Sequence, residues 1–193
     1  MEPRADRQYT AFASGKRIAS GEVLDVAVKV KKFLKKESGN SVLIFDDLTG
    51  DQVEIDFRGD VENVRRRLED FLRFQQGKKV GPGRPRLGVT AKEITLLPEH
   101  WEWLAIQPGG ASVTLRRLVE EAKKKNVSRD RIRQAQDRTY KFMTTMAGDL
   151  PDYEEALRAL YGGDVKSFKD RVSAWPKDIQ EHAWYLAKDA LSK

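Results

Sequence analysis

Apolar residues recur at helical spacing in the first third of the chain and then give way to an alternating pattern. Val23, Val26, Val30, Phe33 and Leu34 repeat three or four residues apart, with Lys29, Lys31 and Lys32 between them, which predicts an amphipathic helix over Glu22–Leu34. Before it, Tyr9–Ser20 reads as two short strands about the turn Ser14-Gly15-Lys16. After it, Val42-Leu43-Ile44-Phe45 is an unbroken apolar run, the mark of a strand covered on both sides. Val53, Ile55 and Phe57 alternate with Glu54 and Asp56 and predict a further strand, and Asp60 caps a helix carrying Val61, Val64, Leu68, Phe71 and Leu72. The expected order over residues 8–75 is ββαββα.

The pattern breaks at residue 76. Gly77-Lys78-Lys79-Val80-Gly81-Pro82-Gly83-Arg84-Pro85-Arg86-Leu87-Gly88 has no core-forming periodicity and reads as an extended basic arm over 76–91. A strand-helix-helix unit is expected over 92–125. It has a short strand Glu93–Leu97, a helix opened by Pro98, a break at Pro108-Gly109-Gly110, and a second helix capped by Ser112. Residues 126–193 read as all helical. A helix from Ser128 carries Ile132, Ala135, Thr139, Phe142, Met143 and Met146, and three more cover Pro151–Tyr161, Asp164–Trp175 and Pro176–Leu191. The predicted class is α+β: an N-terminal ββαββα domain, a basic linker, a small strand-helix-helix unit and a C-terminal all-α bundle.

Charge sharpens this division. The 193 residues carry a formal net charge of +6. By segment, the net charge is zero over 1–75, +5 over 76–125 and +1 over 126–193. Nearly all the excess lies in the middle quarter, so a polyanion is the natural partner of that segment. There are no cysteines, which removes disulfides, thiolate metal sites and cysteine nucleophiles together. No run of eighteen apolar residues is present and the first residues lack a secretory pattern, so a cytoplasmic protein without a membrane span is expected.

Candidate chemistry is sparse. Asp46, Asp47, Asp51, Glu54 and Asp56 cluster on one hairpin, and paired acids can hold Mg²⁺ or exchange protons. Asp is also a usual turn residue, and the alternation sends Glu54 and Asp56 to a solvated face. His100 and His182 are the only histidines, too few for a His-rich metal site. His100, Trp101 and Trp103 share a short helix, where aromatics serve base stacking or, more commonly, core and dimer contacts. The Trp175-Pro176 and Trp184-Tyr185 pairs suit a helical core. No phosphate-binding loop, nucleophile elbow or HExxH string occurs, so neither a catalytic residue nor a cofactor nor a metal site is expected.

The arm carries the sharpest signal. Gly83-Arg84-Pro85-Arg86 resembles the core of an AT-hook, in which a thin Arg-Pro-Arg segment lies in a narrow A·T-rich minor groove. The other reading is a solvated basic tether, and Leu87-Gly88 stand where an AT-hook continues with proline or further cations. Lys92–Lys125 resembles a ribbon-helix-helix unit, with Pro98 opening the first helix and Gly110-Ala111-Ser112 the second. That resemblance implies a dimer and a phosphate held at the Ser112 helix start. It departs from the family at the strand. Leu97, Thr95 and Glu93 share one face and Leu96, Ile94 and Lys92 the other, so neither face is polar enough to read base edges. A helical hairpin used only for packing is the alternative.

Further strings span most of the chain: Leu43-Ile44-Phe45-Asp46-Asp47 with Thr49-Gly50, Gly83–Gly88, Leu96-Leu97-Pro98 with His100-Trp101 and Trp103-Leu104, Gln107–Ser112, and Met146–Pro151. Together they resemble an uncharacterised bacterial family, domain of unknown function 2239. The resemblance implies a bacterial, cytoplasmic protein and no particular chemistry.

The expected function is that of a non-enzymatic DNA-binding protein, a regulator or nucleoid-associated factor acting as a homodimer on double-stranded, A·T-rich DNA with low sequence specificity. The expected contacts are Lys78, Lys79, Arg84, Arg86, Lys92, Ser112, Arg116 and Arg117. The rival is a protein–protein adaptor in which the arm is only a tether.

Overall fold

The computed structural model describes residues 7–37, 39–76 and 90–192. The chain divides into two compact units, one built from residues 1–78 and 131–193 and the other from 79–130.

The larger unit is organised on a three-stranded antiparallel sheet. Strands β1 (Gln8–Ala13) and β2 (Lys16–Glu22) form a hairpin, and β3 (Val42–Asp46) pairs with the other edge of β1, giving the order β2-β1-β3. The hairpin turns on Ser14 and Gly15, both with positive φ, as a two-residue turn matched to strand twist requires. Helix α1 (Val23–Lys36) follows, and α2 (Val61–Gln76) is capped by Asp60, whose carboxylate accepts from the Asn63 N–H at 2.8 Å.

Both faces of β1 are covered. Tyr9 and Ala11 join Ile44, the α1 valines, Val64 and Leu68 in one core, while Phe12 and Phe45 join the C-terminal helices in a second. Strand alternation delivers the two sets to opposite faces, which is why Val42–Phe45 reads as a continuous apolar run. The second core is closed by α4 (Gly110–Ala147), α5 (Tyr153–Gly162), α6 (Val165–Val172) and α7 (Lys177–Leu191). Residues 8–75 and the C-terminal helices, read from sequence as separate bodies, thus share a core.

Three expected elements differ. Val53–Phe57 is not a strand; after the Val53 N–H···O Ile44 bond of 2.8 Å the segment leaves β3, and a cleft of roughly 340 Å³ opens between them. Its backbone acceptors are taken by side chains instead, Phe57 by Lys31 at 2.7 Å and Asp56 and Arg58 by Arg67. Glu93–Leu97 is irregular, with Ile94 and Leu97 exposed, and among the described residues it meets no strand to pair with. The break expected before Ser128 is absent. No glycine or proline lies between Ala111 and Ala147, so one 38-residue helix runs through it.

The turn after β3 is locked to α4. Gly50 has φ +71°, and a Cβ there would stand 2.3 Å from the Arg138 carbonyl oxygen. Lys141 pairs with Asp51 at 2.9 Å and donates to the Thr49 carbonyl. Gly50→Ala combines a left-handed backbone with direct overlap and should lower unfolding stability by ~3 kcal/mol or more. Urea titration should record a fall in midpoint at unchanged slope.

Candidate nucleic-acid interface and a buried carboxyl–imidazole pair

Of the residues expected to contact DNA, Ser112, Arg116 and Arg117 share the first turns of α4, and Lys92 precedes α3 (Pro98–Ala105). Lys78, Lys79, Arg84 and Arg86 lie outside the described residues. Lys92 is exposed in the irregular segment before α3. Ser112, expected as a cap, lies inside the first turn of α4 and is exposed. Arg116 is exposed and its guanidinium folds back onto the Ser112 carbonyl at 3.1 Å, while Arg117 pairs with Glu121 at 2.9 Å.

Lys123, Lys124 and Lys125 follow one turn later, all exposed, and of these Lys123 pairs with Glu120 at 3.0 Å. Such exposed pairs contribute little and exchange readily. The first half of α4 is therefore a cation-rich helix open to solvent. The aromatics of α3 are open too, with Trp101 44% and Trp103 46% exposed, and they join neither core of the described residues. In the larger unit Trp175 is buried and donates to the Pro151 carbonyl at 2.8 Å, whereas Tyr185 is exposed.

A second cluster was not visible in the sequence. Asp46 and Asp47, read as turn residues, are withdrawn from solvent: Asp46 is buried, and the Asp47 side chain is only 8% exposed. Asp46 accepts from Arg7 at 2.5 Å and from the Leu48 N–H at 2.9 Å. Asp47 follows the alternation of β3 to the other side, where one oxygen accepts from Thr10 at 2.9 Å. Its other oxygen, Oδ1, lies 3.4 Å from His182 Nε2, and neither atom has a hydrogen-bond partner among the described residues. His182 is held edge-on to Phe12 and Phe142, with ring centroids at 5.3 and 4.7 Å. Asp47 borders a cleft of roughly 350 Å³ that Arg7, Arg138, Tyr185, Lys188 and Asp189 also line.

Burial governs both titrations. It pushes the Asp47 carboxyl up to about 6, against the Thr10 hydrogen bond. It pushes the His182 imidazole down to about 4, with Arg17 adding to the shift. Near neutral pH the contact is therefore between a carboxylate and a neutral imidazole, not an ion pair, even though the two groups lie within ion-pair distance. The sequence signal for the pair was slight: His182 shares the inward face of a helix with Ile179 and Leu186, an unusual place for a lone histidine. Among the described residues no three His, Asp or Glu side chains converge to hold a metal ion, and no helix is long and apolar enough to cross a membrane.

These features define an α+β protein with a small antiparallel sheet and a helix-rich remainder, in which the first half of α4 is cationic and exposed. The chain belongs to domain of unknown function 2239 (DUF2239), an uncharacterized protein family conserved in bacteria, whose profile matches residues 8–187. No curated protein and no solved structure matches it.

The pair has opposed effects on stability. A carboxyl with a raised folded pKa stabilises below its unfolded value near 3.8 and loses that contribution as pH rises through about 6. An imidazole with a depressed folded pKa contributes stability above 6.5 that is lost as pH falls through about 4. Between pH 4 and 6 the two slopes oppose each other. Asp47→Asn should therefore gain stability relative to wild type as pH rises from 4 to 6, and His182→Asn should lose it. Chemical denaturation across that range reads both signs, and equal slopes in the two variants would contradict the assignment.

Proposed function

We propose that the protein binds double-stranded DNA without catalysing a reaction, holding the phosphate backbone and a narrow minor groove with low sequence specificity, as a cytoplasmic homodimer associated with the nucleoid. One observation carries this reading: nearly all the positive excess of the chain lies in 76–125, and its described helical part, the first half of α4, is exposed to solvent. Within α4, Arg116, Lys124 and Lys125 have no carboxylate partner among the described residues, whereas Arg117 is engaged by Glu121. In this reading Lys92, Arg116, Arg117 and the lysine run neutralise phosphates, and the N-terminal turn of α4 at Ser112 adds a backbone anchor. Arg84 and Arg86, flanked by Lys78 and Lys79, follow the floor of an A·T-rich groove, where the potential is most negative. The irregular Glu93–Leu97 segment fits contact without base reading.

The adaptor reading has its own support in the exposed apolar side chains of residues 90–130. It differs in its prediction for nucleic acid. Gel-shift titration with A·T-rich, G·C-rich and single-stranded probes at two salt concentrations separates the two. DNA binding predicts duplex affinity falling steeply with salt, by a slope of about 0.9 per phosphate contact. It also predicts that Arg84→Ala/Arg86→Ala lowers A·T-rich binding at least tenfold, and that Lys124→Glu/Lys125→Glu weakens all duplexes alike. No duplex binding at low salt would leave the adaptor.

A further inference from the structure

The zero net charge of residues 1–75 conceals an uneven distribution. From Lys29 to Lys36 the chain reads Lys-Val-Lys-Lys-Phe-Leu-Lys-Lys, with five lysines and no acid. All five belong to α1, whose one acid, Asp25, lies in its first turn. Glu37, at the C-cap, accepts from the Asn40 amide at 2.8 Å. The five lysines divide by what they touch. Lys31 donates to the Phe57 carbonyl at 2.7 Å and shares with Lys35 a cleft that Asp60 and Glu62 also line, so groups of the same unit answer both. Lys29, Lys32 and Lys36 are exposed and have no carboxylate partner among the described residues. At 3.6 residues per turn they fall within an arc of about 60° on the solvent side of the helix, over about 10 Å of its length.

A face of one sign is unfavourable for the helix that carries it. Lys29 and Lys32 are three residues apart, and Lys32 and Lys36 are four apart, spacings at which like charges repel. The helix dipole compensates cations of the last turn, and Lys29 and Lys32 lie before it. The neighbouring α2 shows the usual solvated alternative. There Arg65 pairs with Glu69 at 2.9 Å, and Arg73 lies 3.9 Å from both Glu69 and Asp70. On α1 the repulsion is relieved when a polyanion covers the stripe.

We propose that Lys29, Lys32 and Lys36 form a further contact to the phosphate backbone of duplex DNA, carried by the larger unit and additional to Lys92 and α4. Lysine heads are compact point charges on flexible stems and lack the planar fork that grips a base edge. The contact therefore adds affinity without sequence preference. It deepens the DNA-binding reading above and rests on it.

Duplex titration of the full chain at several salt concentrations tests it. Three phosphate contacts supply about 2.7 of the slope of log affinity against log salt. Lys29→Gln/Lys32→Gln/Lys36→Gln should lower that slope by about 2 or more and weaken A·T-rich and G·C-rich duplexes alike, by roughly tenfold at low salt. A charge-matched control at exposed positions elsewhere, Lys16→Gln/Lys166→Gln/Lys177→Gln, should leave slope and affinity nearly unchanged. Relief of the like-charge pairs should keep the urea midpoint of the α1 variant at or above that of wild type, which separates lost binding from lost folding. Acetylation of the wild-type chain reads the same contact without substitution: duplex should slow Lys29, Lys32 and Lys36 selectively, relative to Lys16 and Lys166. An α1 variant that binds duplex with unchanged slope, or wild-type lysines without selective protection, overturns this contact and leaves the DNA-binding reading standing. A control that loses as much as the α1 variant also overturns it, because net charge alone then accounts for the loss. A wild-type chain that binds no duplex at low salt overturns both.

Discussion

Two-sided burial of β1 is the constraint on which the larger unit depends. Five of its six residues are buried, and alternate ones belong to different cores. One core holds the N-terminal helices against the sheet; the other holds the C-terminal helices against it. The second is anchored by rings, with Phe45 edge-on to Phe142 at 5.1 Å and Phe12 packed against both. Gly50 then allows the turn after β3 to reach the backbone of α4. Sequence-distant halves of the chain therefore complete each other, and neither core closes without the sheet between them.

Burying both faces has a cost at the sheet's polar residues. Thr10 donates to Asp47, and Asp47 in turn meets His182 among the aromatic rings. The pair is tolerated near neutral pH because one group stays neutral, and its opposed titrations flatten the response of the fold to acid. Residues 90–130 have the opposite economy. They contribute almost nothing to a core, which leaves their cations and apolar side chains available for contact. In the proposed reading Arg116, Arg117 and the lysine run of α4 meet phosphate.

Much of the fold was legible where one period dominated. The Val42–Phe45 run announced a strand covered on both sides, and the amphipathic patterns of α1 and α2 located them within two or three residues at each end. Asp164, whose carboxylate accepts from the Ser167 N–H, and Gly163, with φ +67°, set the helix ends that their residue types suggest. What failed was what depends on partners. Alternation over Val53–Phe57 describes the side chains correctly but not the backbone, whose acceptors Lys31 and Arg67 take. Glu93–Leu97 has strand-forming residues and, among the described residues, no strand beside it. Asp47 and His182 are 135 positions apart, and nothing local announces that the sheet brings them together. The cationic segment was legible from charge, and so was the solvent side of Arg116, Arg117 and Lys123–Lys125.

Hydrogen exchange by mass spectrometry, with and without A·T-rich duplex, tests the central claim most directly. That claim is one cooperative sheet-centred unit beside a segment stabilised only through its partners. Amides of β1, β3, residues 135–147 and α7 should open together with a single, large protection. Amides of 98–130 should exchange much faster at dilution and gain protection at higher protein concentration and again with duplex. Separate opening of β1 and α7, or equal and unchanging protection of 98–130, would contradict it.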